Sequence, residues 1–209
     1  FMSAWTPERF KGIAKSPDEV RRDTQQGFLF LNLLMFTIAV GIAVYARPAL
    51  AILTDVAYRE AANIIPLVLA AYVIQAWAEA VKFGIDAAEQ PIYYTYASWS
   101  ATAIVLVAYA LLIPPLGPYG AALATVLAFA VRFGLTYFWS QRLWRLDYGW
   151  GRVRLLAAIA TGLVVLVLTL DAASFAGQVA VGSAAMATYV GLVWTTVLPS
   201  TDRQALLTH

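Results

Sequence analysis

The sequence predicts an all-α fold, a polytopic bundle of six transmembrane spans plus the end of a preceding one, and three observations lead there. Residues 92–131 pass without an ionised side chain, broken only at Pro114-Pro115-Leu116-Gly117-Pro118-Tyr119-Gly120. A hydrocarbon core about 30 Å thick takes roughly 20 residues of helix, so this block reads as two spans joined in a hairpin. Hydrophobic residues make up 61% of the chain and charged residues 12%, against about 25% charged in an average soluble domain; the mean hydropathy is +0.71. Finally, the basic residues segregate by side. Arg9, Lys11, Lys15, Arg21, Arg22, Lys82, Arg142, Arg145, Arg152, Arg154 and Arg203 fall in alternate connections, Arg47 and Arg59 in the others, and Arg132 lies inside a span. Basic residues near span ends stay in the cytoplasm, which puts the larger group there.

Taken in order, residues 1–5 form an apolar stub ending at Thr6-Pro7 and resemble the end of a helix begun upstream. With neither a basic leader nor an h-region of usual length at residues 1–5, no signal peptide is expected in this stretch, and the expectation is a fragment of a longer membrane protein. Ser16-Pro17-Asp18-Glu19 has a capping residue, proline at the first helical position and glutamate three residues after the cap, so it should start a helix. That helix enters the membrane over 28–46, and 47–60, with Pro48, Asp55, Tyr58 and Arg59, is the one sizeable outer connection. A second span covers 61–83, a third ends at Pro114, where the prolines should stop it, and a fourth runs to Trp139. Gly117 and Gly120 permit the turn, and Gly120-Ala121-Ala122 with Ala124 opens the fourth span with small residues that allow close helix contact. Two further spans lie near 155–170 and 178–198. Tyr93, Tyr94 and Tyr96 at one boundary, and Tyr137, Trp139, Trp144, Tyr148 and Trp150 at another, are placed to sit at headgroup level.

Several chemistries lack their tools. The chain has no cysteine, and its one histidine is the last residue, His209, so metal ligands are nearly absent and no metal or cofactor is expected. Net charge is +2 with no basic patch interleaved with aromatics, so no nucleic-acid partner is expected. Intramembrane transferase chemistry needs an acid, a base or a metal close together, and there is no internal histidine and no Asp-x-Asp pair. The chain is not expected to be an enzyme.

The polar residues at depth are few. Gln75, Glu79, Lys82 and Asp86 lie at i, i+4, i+7 and i+11, which places them within roughly 60° of one another on the second span. Such a stripe should face the bundle interior or a wet cavity, with Lys82 pairing Glu79 or Asp86; alternatively Lys82 and Asp86 simply reach water at the cytoplasmic boundary. Arg132 is roughly 18 Å from the outer end of the fourth span, with Thr125 and Thr136 on its face. A guanidinium there suits a phosphate through its planar fork, or a structural partner, or snorkelling towards the cytoplasm. Asn32, Thr95, Ser98 and Thr102 offer hydrogen bonds to sugars or to neighbouring helices.

Pro48-Ala49-Leu50-Ala51-Ile52-Leu53-Thr54, then Tyr58-Arg59-Glu60-Ala61-Ala62 and Pro66-Leu67, then Ile113-Pro114-Pro115-Leu116-Gly117-Pro118-Tyr119-Gly120-Ala121-Ala122-Leu123-Ala124-Thr125, together with Ala4-Trp5-Thr6-Pro7 and the basic loop after it, carry a family likeness. They resemble the C-terminal half of bacterial polysaccharide flippases of the multidrug/oligosaccharidyl-lipid/polysaccharide exporter superfamily. The resemblance covers essentially the whole chain. It implies that residues 1–150 belong to a C-terminal lobe, with the end of one span, a cytoplasmic loop and four spans, and that 151–209 add two spans and a short cytoplasmic tail. It further implies a multi-pass protein of the bacterial cytoplasmic membrane that flips a polyprenyl-pyrophosphate-linked oligosaccharide by alternating access against an N-terminal lobe of the same protein. Under it, Arg132, Lys82 and Gln75 would contact the substrate, and Glu79 and Asp86 would bind a coupling ion or proton. A drug or cation exporter of the same superfamily is the alternative, with Glu79 and Asp86 holding the cation; an intramembrane lipid-sugar transferase is the remaining one.

Overall fold

A computed structural model describes residues 17–170 and 174–197. The expected Ser16 cap, the stub at residues 1–5, the Ala4-Trp5-Thr6-Pro7 segment and the C-terminal tail with Arg203 lie outside these residues. Helix α1 spans Pro17–Leu53, a 3-10 helix follows at Val56–Asn63, and α2 spans Ile65–Val81, followed by the short α3, Phe83–Ala87. The hairpin is α4, Ile92–Leu116, and α5, Pro118–Leu143. Helices α6, Trp150–Thr169, and α7, Phe175–Leu192, complete the chain, with a π-helical turn at Val193–Val197. No strand occurs among the described residues.

Six segments are long and apolar enough to cross a membrane: Glu19–Leu53, Ala61–Ala87, Ile92–Leu116, Pro118–Leu143, Trp150–Thr169 and Phe175–Val197. An intrasegment ladder satisfies every interior backbone group, which is why helices span lipid while open strands do not. The protein is a multi-pass, all-α membrane protein, as its sequence predicts.

Two boundaries differ from expectation. Proline does not stop the third span at Pro114: α4 continues through Pro114 and Pro115 to Leu116. Each proline forfeits one backbone donor, leaving the carbonyls of Ala110 and Leu111 without their helical partners, but a loss confined to the last turn does not end the helix. What ends α4 is Gly117, at φ +54° with its N–H donating to Ile113 O at 2.7 Å. Pro118 then opens α5 at its first turn, where a missing N–H costs nothing. The outer connection at 47–60 is also mostly helical, since α1 contains Pro48 and runs to Leu53 and the 3-10 helix resumes at Val56.

The described residues divide into two compact units, one of 17–31 and 71–149 and one of 32–70, 150–170 and 174–197. In the first, α4 and α5 meet along small side chains: Ala97, Ala101 and Ala108 of α4 and Gly120, Ala124 and Ala128 of α5 are buried. A Cβ on Gly120 would lie 2.0 Å from Leu112 O, so glycine is what lets the two backbones touch. Gly84 of α3 meets α5 as closely, its notional Cβ falling 2.3 Å from Ser140 Oγ and 2.9 Å from Ser140 O. Tyr148, expected at headgroup level, is instead buried, edge-on to Phe28 at 5.2 Å and 6.4 Å from Tyr137. Beside it Arg21 donates from Nε and Nη2 to Asp147 Oδ2 at 3.1 and 2.7 Å, and Gly149 N–H donates to Asp147 Oδ1 at 3.0 Å. Tyr93 and Trp139, from α4 and α5, stack their rings at 4.4 Å.

In the second unit Tyr45 and Ser183 share a hydrogen bond of 3.0 Å between α1 and α7. Gly182 brings α7 against Val44 O, with a notional Cβ 3.3 Å away. That carbonyl is the one Pro48 leaves without a helical donor. Arg47 donates from Nη2 to Asn63 Oδ1 and to Leu168 O, both at 3.3 Å, and so caps the C-terminal end of α6.

Candidate intramembrane polar cluster

In the first unit α2 and α5 bring Gln75 and Glu79 of the one against Arg132 of the other. Near the middle of α5, Arg132 extends its guanidinium towards α2. Its Nη1 donates to Gln75 Oε1 at 3.0 Å and its Nη2 to Glu79 Oε1 at 2.9 Å. One turn apart on α2, Gln75 and Glu79 present their oxygens side by side, and the planar fork takes one with each nitrogen. Tyr94 of α4 closes the third side. Its hydroxyl donates to Glu79 Oε1 at 2.6 Å and accepts from Arg132 Nη2.

The cluster continues towards the end of α2. Lys82 Nζ lies 3.6 Å from Asp86 Oδ1 and 4.6 Å from the centre of the Tyr94 ring, and Arg132 Cζ lies 4.9 Å from the same ring. An aromatic face between two cations stabilises both through its quadrupole. The cluster therefore holds two cations and two anions in two pairs, Arg132 with Glu79 and Lys82 with Asp86. A charge-balanced group of this kind reduces the cost of placing ions at depth. Of the four charged members Arg132 is the most enclosed, its side chain 17% exposed against 30–35% for the other three.

Balance is not saturation. Arg132 Nε is buried without a hydrogen-bond partner. One and two turns further along the same face of α5, the hydroxyls of Thr136 and Ser140 are buried and likewise unpartnered. An unmet donor in a dry setting costs about 1–3 kcal/mol, so the cluster retains unused hydrogen-bonding capacity beside its central cation.

No family model, curated protein or solved structure matches the chain. The site must be read from its own geometry.

All five candidate residues of the sequence, Gln75, Glu79, Lys82, Asp86 and Arg132, come together here. Of the two partners open to Lys82, the fold selects Asp86, because Glu79 is taken by Arg132. Thr125 does not join them: its hydroxyl bonds Ala121 O at 2.9 Å and pairs with Tyr109 at 3.0 Å across the hairpin. Thr95 and Thr102 turn back to the carbonyls of Pro91 and Ser98, each on its own helix. Asn32 is fully buried in the second unit.

The sequence reading missed the role of Tyr94, which it placed only in a headgroup belt. No spacing rule marks it: Glu79 lies well before the connection at 88–91 and Tyr94 just after it, so only the packing of α2 against α4 brings the two together. Among the described residues no group of three or more His, Cys, Asp or Glu side chains is arranged to hold a metal ion. The hairpin also carries a groove lined by Ala103, Ile104, Val107, Ala108, Leu111, Leu112 and Leu127. It is wholly apolar and offers nothing to orient a polar ligand.

Proposed function

We propose that the chain is one lobe of a transporter that flips a polyprenyl-pyrophosphate-linked oligosaccharide across the bacterial cytoplasmic membrane by alternating access. The observation that carries this reading is an arginine held near mid-helix of a membrane span, paired to Glu79 and Gln75 and keeping a buried, unmet donor at Nε. Ionisable groups are retained at such depth chiefly on substrate and ion pathways. A guanidinium matches phosphate oxygens through two parallel N–H bonds, which a lysine does not. In this reading Arg132, Lys82 and Gln75 meet the pyrophosphate end of the cargo, and Glu79 and Asp86 carry the coupling proton or ion. An opposing lobe of the same protein would complete the cavity and rock against this one.

Because Glu79 and Asp86 each already face a resident cation, a proton, which needs no room beside that cation, fits them better than a bulky drug cation, and this favours flipping over the cation-exporter alternative. The test is flipping of a labelled lipid-linked oligosaccharide in proteoliposomes that contain the protein with its opposing lobe. Arg132→Ala should abolish flux while insertion stays intact. Unchanged flux in that variant, or efflux of cationic drugs without lipid flipping, would remove the proposal.

A further inference from the structure

We infer that the Glu79 carboxylate is an internal stand-in for the anionic ligand, so that a phosphate-bearing group binds Arg132 only as Glu79 takes up a proton. This rests on the reading that Arg132 is an anion contact and adds how that contact is switched. The geometry gives the reason. Both Nη nitrogens of Arg132 are engaged, one on Gln75 and the other on Glu79 and Tyr94. The two N–H bonds of Nη2 go to Glu79 and Tyr94, so an incoming phosphate oxygen must displace one of them before the fork can bind it in two places, and Glu79 is the one whose charge opposes a second anion. Two anions cannot share one guanidinium in a low-dielectric site without strong repulsion.

A proton on Glu79 resolves the conflict. The neutral acid no longer competes for the cation, Tyr94 can still bond to it, and Arg132 becomes a free cation with its unmet Nε–H beside the vacated Nη2. The groups facing Glu79 are Arg132 from α5, Tyr94 from α4 and, on its own helical side, Lys82 with its partner Asp86. Among them Glu79 is the acid that touches Arg132. Binding of proton and phosphate are thus linked with positive sign: acidification strengthens phosphate binding, and phosphate binding draws a proton in.

The experiment is calorimetric titration of inorganic pyrophosphate into the detergent-solubilised protein at neutral and acidic pH. It is repeated in nanodiscs with and without phosphatidic acid, which separates a free phosphate from a lipid headgroup as the source. Wild-type affinity should rise about tenfold or more on acidification, within the range of ordinary coupling between two sites, with about one proton taken up per anion as read from buffers of different ionisation heat. At neutral pH Glu79→Gln should bind more tightly than the wild type, and it should lose this rise apart from what the probe's own ionisation contributes; that contribution is identical for both proteins at each pH, so their difference isolates Glu79. Asp147→Asn, outside the cluster at the exposed pair with Arg21, should keep the wild-type rise. If Glu79→Gln keeps it, or Asp147→Asn loses it, the inference is overturned. Arg132→Gln addresses the underlying reading separately: binding equal to wild type in that variant would show that Arg132 is not the anion contact. Competition by phosphatidic acid in nanodiscs assigns the site to a lipid headgroup, and its absence to a soluble phosphate.

Discussion

Arg132 Nη2 lies 2.9 Å from Glu79 Oε1, an ion pair that joins two membrane spans 53 residues apart. Neither residue is placed there by its neighbours in sequence. The pair exists because α5 and α2 face each other, and it sets the chemistry of everything around it.

The first prediction concerns that pair. Removing one partner strands a charge, whereas removing both does not. Glu79→Ala and Arg132→Ala should each destabilise the protein more than expected from the double variant, with a coupling of about 1–3 kcal/mol in a double-mutant cycle. Unfolding in mixed micelles measures it, and strict additivity would show that the two charges do not interact.

Tyr94 is predicted to hold the pair together. Tyr94→Phe keeps the ring over Arg132 and Lys82 but deletes the hydroxyl that bonds to both Glu79 and Arg132. Stability should fall by about 1 kcal/mol, the net worth of a typical hydrogen bond, and lipid flipping should slow without loss of insertion. Flux and melting temperature equal to wild type would reduce Tyr94 to packing.

Two glycines in α5 make a matched test of the hairpin. Gly120→Ala forces a Cβ to within 2.0 Å of Leu112 O, whereas Gly134→Ala meets nothing within 4 Å. The first should cost about 1–3 kcal/mol through overpacking, and the second should be neutral or slightly stabilising. Thermal unfolding of the two variants should differ clearly in that order.

Asp147 gives a pH prediction. The Gly149 N–H holds its carboxyl below the usual carboxylate value; slight desolvation opposes this, and the Arg21 guanidinium adds to the lowering. A depressed folded value means that the contribution is present above the unfolded value, about 3.9, and disappears as pH falls through the folded one. Both side chains are largely exposed, so Asp147→Asn should cost at most about 1 kcal/mol at neutral pH, with the difference vanishing in strong acid. A gap that widens on acidification would reverse the sign of this argument.

Orientation is testable with two cysteines in this cysteine-free chain. A cysteine at Thr54, after the outer end of α1, should react with an impermeant thiol reagent added outside intact cells. One at Glu89, in the connection before α4, should react only after lysis. The opposite pattern would invert the topology.

Composition, uncharged length and the sidedness of lysine and arginine were enough to determine six membrane-spanning helices, because lipid penalises each charge and each unpaired backbone group locally, residue by residue. The stripe of Gln75, Glu79, Lys82 and Asp86 was legible for the same reason: helical periodicity alone puts them on one face. Tertiary structure decided the pairings. Lys82 had two acids within reach along its own helix, and only the arrival of Arg132 from α5 assigns it to Asp86. Tyr94 and Tyr148 look alike in sequence as boundary aromatics, yet one closes a polar cluster and the other is buried against Phe28. Pro114 and Pro115 read as a stop, but the closing bond is made by Gly117. In each case the deciding partner comes from a different helix or from the exact closure of a turn, and one-dimensional patterning carries no term for which surfaces meet.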